Sequence, residues 1–175
     1  MQSVDPIYEK LNEATSIRGF ITASVAIFDE AVDQLINRVF RKTDFAVKSV
    51  VDSLLSNSGP LCDLSIRLKV LLGLGIIEHH VFSDISHFIE IKEKLNNDEK
   101  EYDFADLIII DFIQQLSCQN DKSLLNFPME KDENPDSLLY QVKALRREKL
   151  IRSYLTLAIT EIYEQLQIEC IVSKP

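Results

Sequence analysis

The sequence predicts an all-α protein: a single domain over residues 1–175, built as a bundle of about six to seven helices around a buried central helix. Three observations carry that prediction. Apolar residues recur at three- and four-residue steps through most of the chain. Only four glycines and five prolines occur in 175 residues, too few for a loop-rich sandwich or barrel. No stretch alternates as a half-buried strand would. With 46% hydrophobic residues, the chain can bury roughly 70% of its unfolded surface and needs no disulfide or metal staple.

Between Phe20 and Phe40 the apolar set is Ile21, Val25, Phe28, Val32, Leu35, Ile36 and Val39, with Asp29, Glu30, Asp33, Asn37 and Arg41 on the other side. That pattern is one amphipathic helix. Asp44 is placed to cap a second, running through Leu55. Ser56-Asn57-Ser58-Gly59-Pro60 then breaks the chain, since Gly suits a left-handed cap and Pro the first turn of a new helix. A third helix is expected over Leu61–Leu74. Its Leu61, Leu64, Leu68, Leu71 and Leu72 share a side, and Ile66, Val70 and Leu74 widen the apolar arc until little polar face remains. This is therefore the expected central helix. Gly73 would admit a close neighbour and Gly75 would end the helix. Further helices are expected over 82–95 and 104–116. The tract 120–136, with Pro128, Pro135 and MEKDEN, reads as a surface loop. A long last helix begins near Ser137, and its apolar part, 150–166, should run through the core.

Charge narrows the function. The net charge is −9, and residues 76–135 hold five basic against fourteen acidic side chains, an excess equal to the whole. Such an acidic arm repels a phosphate backbone, so specific DNA binding by the chain alone is not expected. No apolar run approaches the roughly 20 residues of a membrane span. The N-terminus MQSVDPIYEK lacks the basic start and apolar stretch of a secretion signal. Cys62, Cys118 and Cys170 are odd in number and widely spaced. They read as reduced thiols of a cytoplasmic protein, with Cys62 buried.

The stretch GPLCDLSIRLKVLLGLGII (59–77) sets Asp63, Arg67 and Lys69 inside a greasy run. Asp63 and Arg67 stand four apart, within salt-bridge reach on one helix face, and Asp63 lies where the helix dipole favours a negative charge. The reading preferred is a structural ion pair, Asp63 with Arg67, that ties this helix to neighbours through Arg38 or Lys48. The alternative is a small-anion or acid–base site. A helix-turn-helix over 44–74 is rejected, because a reading helix needs polar side chains at its start and this one offers Leu61, Cys62, Asp63, Leu64, Ser65 and Ile66.

His80, Asp84 and His87 stand at i, i+4 and i+7, a set that suits zinc or iron. Against it, His79 and His80 follow a turn at GLGII, and no second helix supplies a Glu-x-x-His partner. A solvated face is the preferred reading, and no metal or cofactor is expected. GLG at 73–75 lacks the strand before it that a dinucleotide loop requires. No Ser or Cys comes with the His and acid of a nucleophile. The basic spots RREKLIR (146–152) and FRKTDFAVK (40–48) are short and mixed with acids, as solvated faces are.

Residues 39–77, VFRKTDFAVKSVVDSLLSNSGPLCDLSIRLKVLLGLGII, and 95–104, LNNDEKEYDF, closely resemble the mannitol operon repressor family of bacterial transcriptional regulators. The likeness runs from about Ile17 to the C-terminal helix and rests on the combination FRKxDxAVK, GPLxDLSxRLK and GLGxI; residues 120–135 depart from it. The resemblance implies a cytoplasmic, all-helical regulator that lowers expression of mannitol uptake and oxidation genes and has no recognisable DNA-binding module. It puts Arg41, Asp44, Lys48, Asp63, Arg67 and Lys69 among the family's patterned polar positions and leaves out His79, His80 and His87. Arg41, Asp44, Lys48 and Lys69 are then the candidate polar or partner-contact site. The expectation is a repressor, not an enzyme, that acts by contact with another regulator or a component of mannitol uptake, with a homodimer formed through an apolar helix face. The competing reading is a lyase or hydratase acting on a small anion with Arg41, Lys48, Asp63 and Arg67. A third is DNA binding by an oligomer that pools the spots at 40–48 and 146–152.

Overall fold

The computed structural model describes residues 5–40, 49, 53–54, 59–117 and 136–167. Six helices have their bounds among these residues, and none of the residues is in a strand: α1 (Asp5–Glu13), α2 (Ile17–Phe40), α3 (Leu64–Gly73), α4 (His79–Asn97), α5 (Leu107–Gln115) and α6 (Leu138–Gln167); Ser49, Ser53 and Leu54 are helical as well. The expected helix over 44–55 and the loop 120–136 lie almost wholly outside the described residues, as do Arg41, Asp44, Lys48, Cys118 and Cys170. No described helix is long and apolar enough to cross a membrane.

The central helix is α2, not the Leu61–Leu74 segment. α2 packs against α1, α3, α4 and α6 and buries Phe20, Ile21, Val25, Phe28, Val32, Leu35 and Ile36. By contrast α3 is ten residues long, buries only Arg67, Leu68 and Leu71, and leaves Ile66 and Leu74 exposed. An apolar sequence on every side of a short helix does not say how many of those sides a neighbour covers. Gly73 meets nothing within 4 Å of a Cβ built on it, so no helix approaches there. Gly75 does end the segment. It has φ +68°, its N–H donates to the Leu72 carbonyl, and the Ile76 N–H donates to the Leu71 carbonyl. Those crossed bonds satisfy carbonyls the last turn would otherwise leave open.

Aromatic edges join the layers. Phe88 of α4 lies 5.1 Å from Phe28 of α2 and 4.9 Å from Phe112 of α5, both edge-on, while Phe20 meets Phe104 at 5.5 Å. Such geometry sets positive ring edges against negative faces and adds to the burial itself. Two arginines close the ends. Arg38 donates to the carbonyls of Leu166 and Gln167 toward the C-terminal end of α6, the negative end of its dipole. Arg152 does the same after α1, donating to the carbonyls of Leu11, Asn12 and Ala14, and its guanidinium lies 5.5 Å from the Phe20 and Phe104 rings. α1 itself is held by Ile7 and Leu11; it is a helix too short for its periodicity to stand out in the sequence.

Candidate functional site

A cleft of about 370 Å³ opens between α2 and the chain entering α3, lined by Ala26, Asp29, Glu30, Asp33, Leu61, Cys62 and Arg67. The sequence places a carboxylate at 29 and again at 33 on one face of α2, one turn apart. Both face Arg67. The Arg67 side chain is only 7% exposed; its Nη2 pairs with Asp29, and its Nη1 stands 3.7 Å from Asp33 Oδ1. The carboxylates are half exposed, so the pair sits at the cleft wall with its cation inside and its anions at the water. Arg67 Nε has no hydrogen-bond partner.

Asp63 is not the partner expected for Arg67. Its Oδ1 accepts the Ser65 N–H at 2.7 Å as the N-cap of α3, and the side chain is exposed. A capping carboxylate is held by the orphan amides of the first turn and so is drawn away from a side chain one turn on. The signal missed is on α2, where the i, i+4 pair Asp29 and Asp33 looks in the sequence like no more than a polar face. Lys69 is exposed and does not line the cleft. Cys62 is exposed, against the expectation of a buried thiol, because it lies before the first turn of α3 and not within a covered helix.

The histidine set does not converge. His80 Nε2 lies 2.8 Å from Gln165 Oε1 and its Nδ1 lies 3.2 Å from Glu78, whereas His87 neighbours Ser83 and Glu90. Asp84 is not on a solvated face: it is 2% exposed, and its Oδ1 accepts the Ser117 N–H at 2.9 Å, which pins the chain as it leaves α5. Among the described residues no group of His, Cys, Asp and Glu is arranged to hold a metal ion.

Fold and cleft together define an all-helical bundle in which Arg67 of α3 is tied to Asp29 and Asp33 of α2. The chain belongs to the mannitol repressor family, whose model matches residues 3–167. It is 36% identical over 163 residues to the Mannitol operon repressor of Escherichia coli, an alignment that covers 93% of this chain and 82% of that protein. Its structure matches that of the Escherichia coli MtlR–HPr complex with a TM-score of 0.84 at 35% identity, covering 94% of this chain and 98% of the matched one. A more distant likeness, 26% identity over 163 residues, is to Fumarase E of Shigella flexneri, covering 93% of this chain and 95% of that protein.

Proposed function

We propose that this chain represses mannitol uptake and metabolism genes in the cytoplasm by binding another protein, and that it is not an enzyme. The observation that carries this reading is the 36% identity to the Mannitol operon repressor across nearly the whole chain, joined to a structural match whose protein is in complex with HPr. The charge supports it. An acidic chain of net −9 makes few of the phosphate contacts on which DNA affinity depends, and the start of α3 offers Leu64 and Ser65, both half-buried, and an apolar Ile66. Arg41, Asp44, Lys48 and Lys69 are the polar residues offered for partner contact. The test is titration calorimetry with the HPr of the same organism, beside a mobility-shift assay on the mannitol promoter at physiological salt. Binding to HPr with no specific shift by the chain alone is the expected result; a specific shift without a partner would overturn the indirect mechanism.

The Fumarase E likeness favours a second reading, a hydratase acting on a dicarboxylate. Its residues in this chain would be Arg41, Lys48, Asp63 and Arg67. Against it, Arg67 is already matched by two carboxylates, and the described lining of the cleft offers no other cation for a dianion. Fumarate consumption followed by ultraviolet absorbance separates the two: turnover that Arg67→Met abolishes would establish the hydratase.

A further inference from the structure

One side of the first part of α6 stands open among the described residues, while Tyr140, Ala144, Arg147 and Glu148 on the opposite side are half-buried. Residues 138–150 are 13 of the helix's 30, and none of them is buried; burial begins at Ile151. At 1.5 Å per residue they run for roughly 20 Å. Ser137 Oγ accepts the Tyr140 N–H at the start, so this is a capped helix and not a frayed end. Leu138 (77% exposed), Val142 and Leu145 stand at i, i+4 and i+7 and make an apolar stripe along one side. Four basic residues accompany one acidic residue over the same thirteen, a net of +3.

The complement lies on the chain itself. Residues 76–117 hold three lysines against ten acidic side chains. At the start of α5 Leu107 is 76% exposed, with Asp111 one turn on along the same face and Asp103 just upstream, both exposed. An exposed leucine among acids is a counterpart for exposed leucines among bases.

We propose that the projecting part of α6 seats on the α5 corner of a second copy of the chain, with the Leu138–Val142–Leu145 stripe on Leu107 and Arg146 and Lys149 opposite Asp103 and Asp111. A two-fold axis makes that contact twice, each copy giving its helix and receiving the other's. Charge selects this occupant over an anionic membrane or nucleic acid. Outside 138–150 the chain carries −12, so any polyanion drawn to the helix is repelled by the body behind it. The inference does not rest on the repressor reading, and the measurement that tests it involves no other protein.

Sedimentation velocity of the full chain is the measurement, over a concentration series and at low and high salt, with circular dichroism to establish that each variant is folded. The wild type is expected to dimerise, less so as salt rises. Arg146→Glu with Lys149→Glu, and separately Asp103→Lys with Asp111→Lys, should each give monomers, since each sets like charges against one another at both contacts. Mixed one to one, the two variants should form a heterodimer, because both contacts are then opposite in sign. A wild type that stays monomeric, reversed variants that still dimerise, a mixture that fails to associate, or a wild type that instead sediments with phosphatidylglycerol vesicles would each overturn the proposal.

Discussion

Arg152 and Ala14 stand 138 positions apart, and the Arg152 guanidinium donates to the Ala14 carbonyl at 2.7 Å. The same group reaches the carbonyls of Leu11 and Asn12 and lies 5.5 Å from each of the Phe20 and Phe104 rings. Hydrogen bonds from a charged group and cation–π contacts together put the cost of Arg152→Met at about 2–4 kcal/mol. Lysine restores little, since one ammonium cannot reproduce the planar fork. Urea unfolding of the two variants checks this: both midpoints should fall with an unchanged slope.

The ion pair at the cleft is asymmetric, and so are its mutants. Asp29→Asn with Asp33→Asn leaves a buried guanidinium unpaired and should cost ~3–5 kcal/mol. Arg67→Met removes the cation and leaves two half-exposed carboxylates that water can solvate, so its cost should be smaller, about 1–2 kcal/mol. A larger loss in Arg67→Met than in the double variant, by chemical denaturation, would show the burial argument to be wrong.

Phe88 touches both Phe28 and Phe112 and is fully buried. Phe88→Ala should lower stability by about 3–5 kcal/mol, and Phe88→Leu by clearly less, because leucine refills most of the void. Thermal melts of both variants give the comparison.

Asp84 accepts the Ser117 N–H inside the bundle. Asp84→Asn keeps an acceptor there, whereas Asp84→Ala removes a hydrogen bond to a charged group, worth about 1.5–3 kcal/mol. Hydrogen exchange at Ser117 should accelerate in the alanine variant alone.

Asp98 and Tyr102 titrate as a pair on the surface. The hydrogen bond from the Tyr102 hydroxyl, then that from the Lys100 amide, holds the Asp98 carboxyl below its ordinary 3.8, and the same carboxylate raises the Tyr102 phenol above 10.0. A lowered carboxyl contributes stability above pH 3.8 that is lost as pH falls through the folded value; a raised phenol contributes stability below pH 10.0 that is lost as pH rises through its folded value. Ultraviolet titration should find one tyrosine ionising late in the wild type and at the ordinary pH in Asp98→Asn.

Much of this was legible in the sequence. The helix starting near Ser137 could be placed because a serine cap precedes a long 3.6-residue period, and Gly75 because only a left-handed turn lets the chain leave α3 there. The centre of the bundle was not legible. The 61–74 segment is apolar on every side, yet Ile66 and Leu74 face water, and it is the longer α2 with its one clean stripe that others surround. Arg67 shows the same limit at the site. A neighbour four residues away in the chain is easy to see, while Asp29 and Asp33 reach it only through the packing of two helices. Asp84 looked like a surface acid because its partner is a backbone amide 33 residues on, which no side-chain pattern announces.

The Arg152 contact also governs how this chain can be made. Ribosomes deliver it from the amino end, and α1 leaves the exit tunnel long before the residue that holds its tail. Until the helix that carries Arg152 emerges, Leu11 and the inner side of α2 have no C-terminal cover, so the nascent chain carries sticky surface until that helix has been made. A stop codon anywhere before Arg152 therefore yields a client for chaperones and proteases, not a shorter working protein.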